Sequence, residues 1–449
     1  MKVQMPKEAR YIIETLMQHG YEAYIVGGCV RDSILGKEPQ DWDITTSATP
    51  EQTKALFRRT IDTGIEHGTV TVMMDKVGYE VTTYRVDGKY EDHRRPKEVT
   101  FTASLLEDLK RRDFTINAMA YNDVEGIVDE FDGIGDLQKG IIRCVGVPQE
   151  RFDEDALRIL RAVRFAAQLN FAIEEETCQA IREKAEFLRD ISAERIQVEL
   201  TKLITSRNPE RLINAYELGI TKIVLPEFDA MMETEQNNIH HCYNVGEHSV
   251  EVMKHIDPQP ILRWAALLHD VAKPMCRTTD ETGVDHFYNH QKEGRPIAHR
   301  VLRRMKLDND TIHTVERLVE WHDYALDGNI TKKSLRKALN QMGPDLFDNY
   351  RKLRWADMMG QSDYRRQEKI EAYERLVQMQ KEIMDASECL SIKELKIDGK
   401  KLIQLGVQPG PAMGEILHYL LEQVLEQPEL NSEEILTQLA LKYYQEQTQ

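Results

Sequence analysis

The stretch Gly27 to Asp43, GGCVRDSILGKEPQDWD, decides how this chain is read. It follows the apolar run Tyr24-Ile25-Val26, which reads as a buried strand, and it closes on two aspartates one residue apart. Gly27 and Gly28 carry no Cβ and let the backbone pass close to a ligand. The apolar positions from Val30 to Leu35 open a helix, whose first N–H groups are available to phosphate oxygens. Arg31 adds a charged donor at the same place. In extended backbone, residues two apart point to one side, so Asp41 and Asp43 face a common site while Trp42 turns into the protein. Two hard carboxylates beside a phosphate cradle suit Mg²⁺ ions holding a nucleoside triphosphate. Gly-Gly after a strand is often a plain turn and Asp-x-Asp often a solvated loop. Their order and closeness give the combination its specificity.

Bulk properties set the frame around that stretch. A chain of 449 residues exceeds what one hydrophobic core usually supports, so two to four domains are expected. No run of about 18 apolar residues spans a membrane, and Met1-Lys2-Val3-Gln4 leads into no signal-peptide core. The six cysteines are scattered without a Cys-x-x-Cys pair, which points to a reducing cytoplasm without disulfides or a thiolate zinc site. A net charge of −17 excludes a general polyanion binder, so any nucleic-acid contact must be local. Local basic clusters exist at Arg94-Arg95, Arg111-Arg112, Arg158/Arg161/Arg164, Arg300/Arg303/Arg304 and Lys332 to Lys337.

Outward from Asp43, residues 6–19 read as an amphipathic helix, and Thr49-Pro50-Glu51 starts another with a capping threonine and a proline at its first position. Residues 60–86 are β-branched or alternating and read as strands. The resulting fold class is α+β: a head with a small mixed β-sheet and helices, followed by all-helical domains. Residues 87–100 are polar and charged and read as a long surface loop beside the site. In Leu109 to Ala120, Ile116, Met119 and Ala120 fall on one helical face, with Arg112, Asp113 and Asn117 elsewhere on it. Asp113 and Arg112 there add to the metal and phosphate set. Residues 121–148 read as a hairpin followed by a Gly-rich turn.

Arg151 to Leu169 reads as one strong helix on which positions 155, 158 and 161–162 share a face. Intrahelical salt bridges are the plain reading. The sharper one is geometric: a planar guanidinium and a carboxylate side by side match the hydrogen-bonding edge of a base. Asp155 and Arg158 then imitate a pairing base.

GGCVRD with DWD, RRDFTINAMA and EDALRILRAVRF, in this order, resemble the class II tRNA nucleotidyltransferases, the CCA-adding enzymes grouped with bacterial poly(A) polymerases. The resemblance covers about residues 24–206. It implies that Asp41 and Asp43 hold the catalytic Mg²⁺, that Gly28, Arg31 and Arg112 contact the triphosphate, and that Asp155 and Arg158 select CTP and then ATP. Arg161 and Arg164 support that site. Residues 87–100 correspond to the family's flexible loop, which helps the switch from C to A addition, and Ser192 to Ile196 match the neck. The implied reaction is in-line attack of a tRNA 3′-hydroxyl on the nucleotide α-phosphate. One metal lowers the hydroxyl pKa and the other steadies pyrophosphate. Partners are tRNA, CTP and ATP, with no membrane and no obligate protein partner, in the cytoplasm. Poly(A) polymerase is the alternative, because its catalytic motifs are nearly the same.

Past residue 240 histidines gather. His248, the adjacent pair His269-Asp270, His290, His322 and Asp357 fall at helical distances, and imidazole with carboxylate suits a divalent transition metal. The order resembles the HD phosphohydrolase superfamily over about residues 240–360. That implies His248, His269, Asp270 and Asp357 as ligands of Mn, Ni or Fe, with His290 and His322 left for a second metal or a substrate phosphate. It also implies phosphatase or cyclic phosphodiesterase activity on RNA ends; an HD phosphohydrolase with an RNA-recruiting head is a further alternative. The expected division is a head at 1–140, a neck at 141–206, a connector at 207–240, an HD-type domain at 241–365 and a tail at 366–449. In the tail, Lys400-Lys401 and the turn Gly406 to Pro411 either contact a backbone phosphate or simply join two helices.

Overall fold

The computed structural model describes residues 2–448 apart from 88–89, 92–94, 97–98 and 326–329. Two compact units emerge, Met1–Met232 with Val301–Leu307, and Glu233–Arg300 with Asp308–Gln449. The class is α+β: one seven-stranded mixed sheet, short two-stranded ribbons, and helices over most of the rest.

The sheet runs Gly126–Asp129, Met119–Asn122, Ala23–Val26, Ile44–Thr46, Val77–Thr83, Thr69–Met74, Thr60–Gly64. Within this sheet, among the described residues, only Ile44–Thr46 and Val77–Thr83 pair in parallel. Ala23–Val26 lies inside the sheet and is buried on both faces, which is why it reads as a continuous apolar run. Tyr24 and Val26 cluster with Tyr84, Leu109 and Ala120. Helix Lys7–Gln18 packs on the same strand and buries Ile12, Ile13 and Leu16. Each such side chain contributes about 2 kcal/mol on leaving water. The helix Pro50–Leu56 carries the expected Thr49 cap, closed by Gln52 as a capping box.

Three expectations change. Leu109 to Ala120 is not a helix: Leu105–Lys110 ends before it, Thr115–Asn117 makes one 3₁₀ turn, and Met119–Asn122 is a strand. That strand bonds to Ala23–Val26 on one side and Gly126–Asp129 on the other, and two filled ladders override a local helical pattern. The stretch 87–100 is not a plain loop either, because Arg85–Asp87 pairs with Val99–Phe101 and Tyr90–Glu91 with Arg95–Pro96. Residues 88–89, 92–94 and 97–98 of that expectation lie outside the described residues. Finally, Arg151 to Leu169 is two helices, Pro148–Glu154 and Leu157–Leu169. Asp155 between them is extended, at φ −143° and ψ 102°. Its Oδ1 accepts a bond from the Leu157 N–H at 3.1 Å, a local contact that competes with helix continuation.

In the second unit, helices Val245–Lys254, Pro260–Leu268, Asn309–Trp321 and Pro344–Gly360 pack on one another around the buried Trp264 and Leu267. Further on, Leu402, Ile416, Leu420, Val424 and Leu436 form a separate core for helices Gly399–Gln404, Pro411–Glu426 and Glu433–Thr448. Every member of the basic cluster Lys332 to Lys337 is held by a glutamate there, four cations on three carboxylates: Lys332 pairs with Glu382, Lys333 and Lys337 share Glu426, and Arg336 pairs with Glu388. Lys401 pairs with Glu433.

Candidate active sites

The Gly-Gly turn, the two aspartates and the RRDFTIN segment meet along one rim of the sheet, at the ends of its interior strands Met119–Asn122, Ala23–Val26 and Ile44–Thr46. The Val26 N–H donates to the Asp43 carbonyl at 3.0 Å, and the Gly27 N–H to that of Met119 at 3.1 Å. Gly27 has φ 81° and caps helix Gly28–Ile34. A Cβ there would lie 3.1 Å from Arg112 Nη1, so the guanidinium lies directly over the turn. Asp41 and Asp43 are both exposed, with Trp42 between them partly buried. Asp43 has its pKa raised, first by the surrounding protein and then by Glu80 and Asp41, with Arg112 opposing. Glu80, missed by the sequence reading, is thus a third carboxylate at this rim. The parallel register that pairs Ile44 with Val81 brings it there, and no spacing in the sequence announces that pairing.

Behind the rim the three motifs are wired together. Arg31 donates to Asn117 Oδ1 at 2.7 Å and also pairs with Asp32. Asn117 Nδ2 donates to Asp113 Oδ1 at 3.1 Å, and Arg161 Nε to Asp113 Oδ2 at 2.8 Å. Asp113 therefore faces an arginine rather than the metal rim, which corrects its place in the expected metal set. Arg164 pairs with Glu199 at 2.7 Å, and burial lowers its pKa to about 10. The Phe165 ring receives Arg31, Arg161 and Arg164 at 5.0, 5.3 and 3.9 Å, a cation–π cluster. Asp108, fully buried, accepts from Thr45, Arg111 and Arg112 and so aims both arginines.

Asp155 and Arg158 do not share a helix face. Asp155 Oδ2 accepts from Arg195 at 2.7 Å. Arg158, buried, donates to the Arg111 carbonyl at 2.8 Å and pairs with Glu154 at 2.7 Å. The cause is the break at Asp155. Arg158 nevertheless braces the segment that carries Arg112.

The second unit brings every predicted ligand together. His248 sits in Val245–Lys254, His269 and Asp270 just past Pro260–Leu268, His290 at the start of His290–Arg304, His322 just past Asn309–Trp321, and Asp357 in the last turn of Pro344–Gly360. Asp270 Oδ2 lies 3.2 Å from His269 Nε2 and 3.6 Å from His248 Nε2, and Asp357 Oδ1 lies 3.1 Å from His248 Nε2. Asp270 Oδ1 lies 3.2 Å from His290 Nε2 and 3.5 Å from His322 Nε2. One carboxylate thus joins two groups of donors, His248 with His269 and His290 with His322. Asp323, the second half of another His-Asp pair that the sequence reading passed over, stands 3.3 Å from both His290 and His322.

In all four rings Nδ1 lies within hydrogen-bond distance of a backbone carbonyl: His248 to Gly360, His269 to Ala266, His290 to Phe287 and His322 to Val319. With the proton on Nδ1, each Nε2 presents a lone pair to the centre. Two nitrogens and shared carboxylates per group fit first-row transition ions. Asp270 and Asp357 are held well below the usual carboxylate range; burial pushes both up, and the neighbouring imidazoles, Lys273 and Arg354 more than offset it.

A mixed sheet with carboxylates at the rim where a Gly-Gly turn meets an arginine defines the head of a nucleotidyltransferase. The chain matches the poly A polymerase head domain over residues 23–143, a probable RNA and SrmB-binding site of polymerase A over 170–232, and a putative tRNA nucleotidyltransferase domain 2 over 292–440. It is 40% identical over 424 residues to the CCA-adding enzyme of Levilactobacillus brevis, covering 94% of each chain. With that of Ligilactobacillus salivarius it shares 34% over 463 residues, covering 98% of this chain and 97% of the relative. The crystal structure of the Bacillus stearothermophilus CCA-adding enzyme in complex with CTP superposes with a TM-score of 0.71 at 30% identity, covering 99% of each chain. The chain belongs to the CCA-adding enzymes and is a tRNA nucleotidyltransferase. Nucleotidyltransferases of this family use a divalent metal ion. Among the described residues no helix is long and apolar enough to cross a membrane.

Proposed function

We propose that the first unit adds C, C and A to the 3′ end of tRNA in the cytoplasm, taking CMP and AMP from CTP and ATP, with Asp41 and Asp43 as the Mg²⁺ ligands. The observation that supports this most is the convergence of both aspartates, the Gly27 turn and Arg112 at the ends of neighbouring interior strands. Bound Mg²⁺ supplies charge to the reacting hydroxyl and the leaving pyrophosphate. The protein does the rest by positioning. The Gly27-Gly28 backbone and Arg112 receive the triphosphate, Arg31 is held ready by Asn117, and the Phe165 cluster fixes the arginines behind. Asp155 and Arg158 read the base edge, with Arg195 and the Arg111 carbonyl holding them in its absence. Residues 1–140 act as the catalytic head, 141–206 as the neck, 207–240 as the connector, 241–365 as the HD-type domain and 366–449 as the tail. Asp41→Ala and Asp43→Ala should each abolish labelled CMP incorporation into a tRNA lacking its CCA; retained incorporation in either would refute the assignment.

A second activity is favoured by the four Nε2 lone pairs turned onto Asp270. In this reading His248, His269, Asp270 and Asp357 hold one divalent transition ion (Mn, Ni or Fe). His290 and His322, with Asp270 and Asp323, hold another. The centre removes phosphate from RNA ends as an HD-type phosphohydrolase. Bound ions there supply an activated water and charge for the phosphoryl oxygens. His269→Ala and Asp270→Ala should remove hydrolysis of a 2′,3′-cyclic nucleotide and leave CMP incorporation intact; an unchanged hydrolysis rate would sink this reading.

A further inference from the structure

Asp270, His290, His322 and Asp357 line a cavity of about 930 Å³ that is far larger than a phosphate needs. One part of its lining is the helix Arg366–Asp385 with the residue before it. Arg365, Lys369 and Arg375 all face the cavity, together with Glu368 and Ala372 between them. At 1.5 Å per residue this row extends about 15 Å along the helix. Arg365 is paired with Glu368. Lys369 donates to the neutral Gln361 at 2.8 Å. The exposed Arg375 makes no ion pair among the described residues. In a chain of net charge −17, Lys369 and Arg375 are two cations outside any ion pair among the described residues that line the same cavity as the histidine centre.

Another part of the lining is the ribbon Arg277–Thr279 with Asp285–Phe287, which presents His286 and Tyr288. Their rings stack with centroids 5.4 Å apart and planes 7° apart. Asp280 fixes the His286 ring at 2.8 Å, and Tyr288 remains 69% exposed. A supported ring with its outer face open is a platform for an unpaired base.

We infer that this pocket selects the end of an RNA chain over a free mononucleotide: Lys369 and Arg375 take backbone phosphates upstream of the one at the histidine centre, and Tyr288 stacks an unpaired base. The inference rests on the phosphohydrolase reading above and adds the groups that distinguish an RNA end from a free nucleotide. A mononucleotide has one phosphate and no chain to lay along a 15 Å row (roughly, from the helical rise).

The test compares an RNA trinucleotide ending in a 2′,3′-cyclic phosphate with the matching 2′,3′-cyclic mononucleotide, using full-length protein loaded with Mn²⁺. KM for the trinucleotide should be at least about tenfold lower. The double variant Lys369→Gln, Arg375→Gln should bring the two KM values towards equality with kcat for the trinucleotide retained. Tyr288→Ala should weaken binding of a fluorescent 3′-phosphorylated trinucleotide about tenfold by anisotropy, measured on protein stripped of metal. Equal KM values in the wild type, or variants that leave the ratio and the anisotropy where they were, would overturn the inference while the phosphohydrolase reading stands. Hydrolysis of neither substrate would defeat that reading, and the inference with it.

Discussion

Arg161 sets Nε and Nη2 against one oxygen of Asp113, at 2.8 and 2.5 Å, while Asn117 and the Phe114 N–H hold the other oxygen. Asp113 is buried and Arg161 is 33% exposed. Removing Asp113 takes away the main partner of Arg161 and leaves it Glu199 at 3.9 Å and partial exposure, so Asp113→Ala should lower stability by about 2 kcal/mol in urea unfolding. The double variant with Arg161→Ala should lose less than the sum of the two single changes.

The same pair predicts a pH dependence. Burial pushes the Asp113 pKa up, but Arg161 and Asn117 more than offset it and the folded value lies below the ordinary carboxylate range. A depressed folded pKa stabilises the protein above the unfolded value of about 3.9, and that contribution fades as pH falls below it. The stability gap between wild type and Asp113→Ala should therefore be full at neutral pH and narrow below about pH 4. A gap that is constant down to the acid transition would contradict the ion-pair account.

Gly27→Ala should be costly for activity more than for folding. With φ 81° and ψ −128° the backbone lies in a region that residues other than glycine rarely adopt, and any side chain there costs roughly 1–3 kcal/mol. The added methyl would stand 3.1 Å from Arg112 Nη1 and push the guanidinium aside. KM for CTP and ATP should rise about tenfold, equivalent to about 1.4 kcal/mol. An unchanged KM would remove Arg112 from the triphosphate site.

Asp155→Asn should relax the choice of base. A bidentate contact to a base edge is worth about 1–3 kcal/mol of discrimination, so misincorporation of UMP or GMP should rise by roughly ten- to a hundredfold in competition assays. Equal fidelity in the variant would leave Asp155 with its Arg195 contact alone.

Asp270 touches both histidine groups, so its loss should empty both. With Asp41 and Asp43 of the head replaced by alanine, protein purified with Mn²⁺ and assayed by elemental analysis should hold up to about two ions per chain, Asp357→Ala fewer, and Asp270→Ala close to none. Wild-type occupancy in Asp270→Ala would break the bridging assignment.

Much of this was legible in the sequence because the motifs are local. The Gly27-Gly28 turn, Asp41 and Asp43 sit within one strand–helix–strand unit, and adjacent His-Asp pairs mark helix ends. What failed was set by partners distant in the chain. Met119–Asn122 looked helical until two neighbouring strands claimed its hydrogen bonds. Asp155 looked like part of one long helix, yet its partner Arg195 lies 40 residues away. Glu80 and Glu199 were missed for the same reason: sheet register and distant arginine partners, not spacing, give them their place. Asp108 pairs with Arg111 and Arg112, three and four residues on, but only its complete burial and the bond from Thr45 mark it out.

The most direct measurement takes a tRNA transcript without its last three nucleotides, adds CTP alone, ATP alone or both, and sequences the 3′ ends. The account predicts ends that stop at CC with CTP, are completed to CCA with both nucleotides, and do not extend in Asp43→Ala. Long A tails formed from ATP regardless of CTP would contradict it.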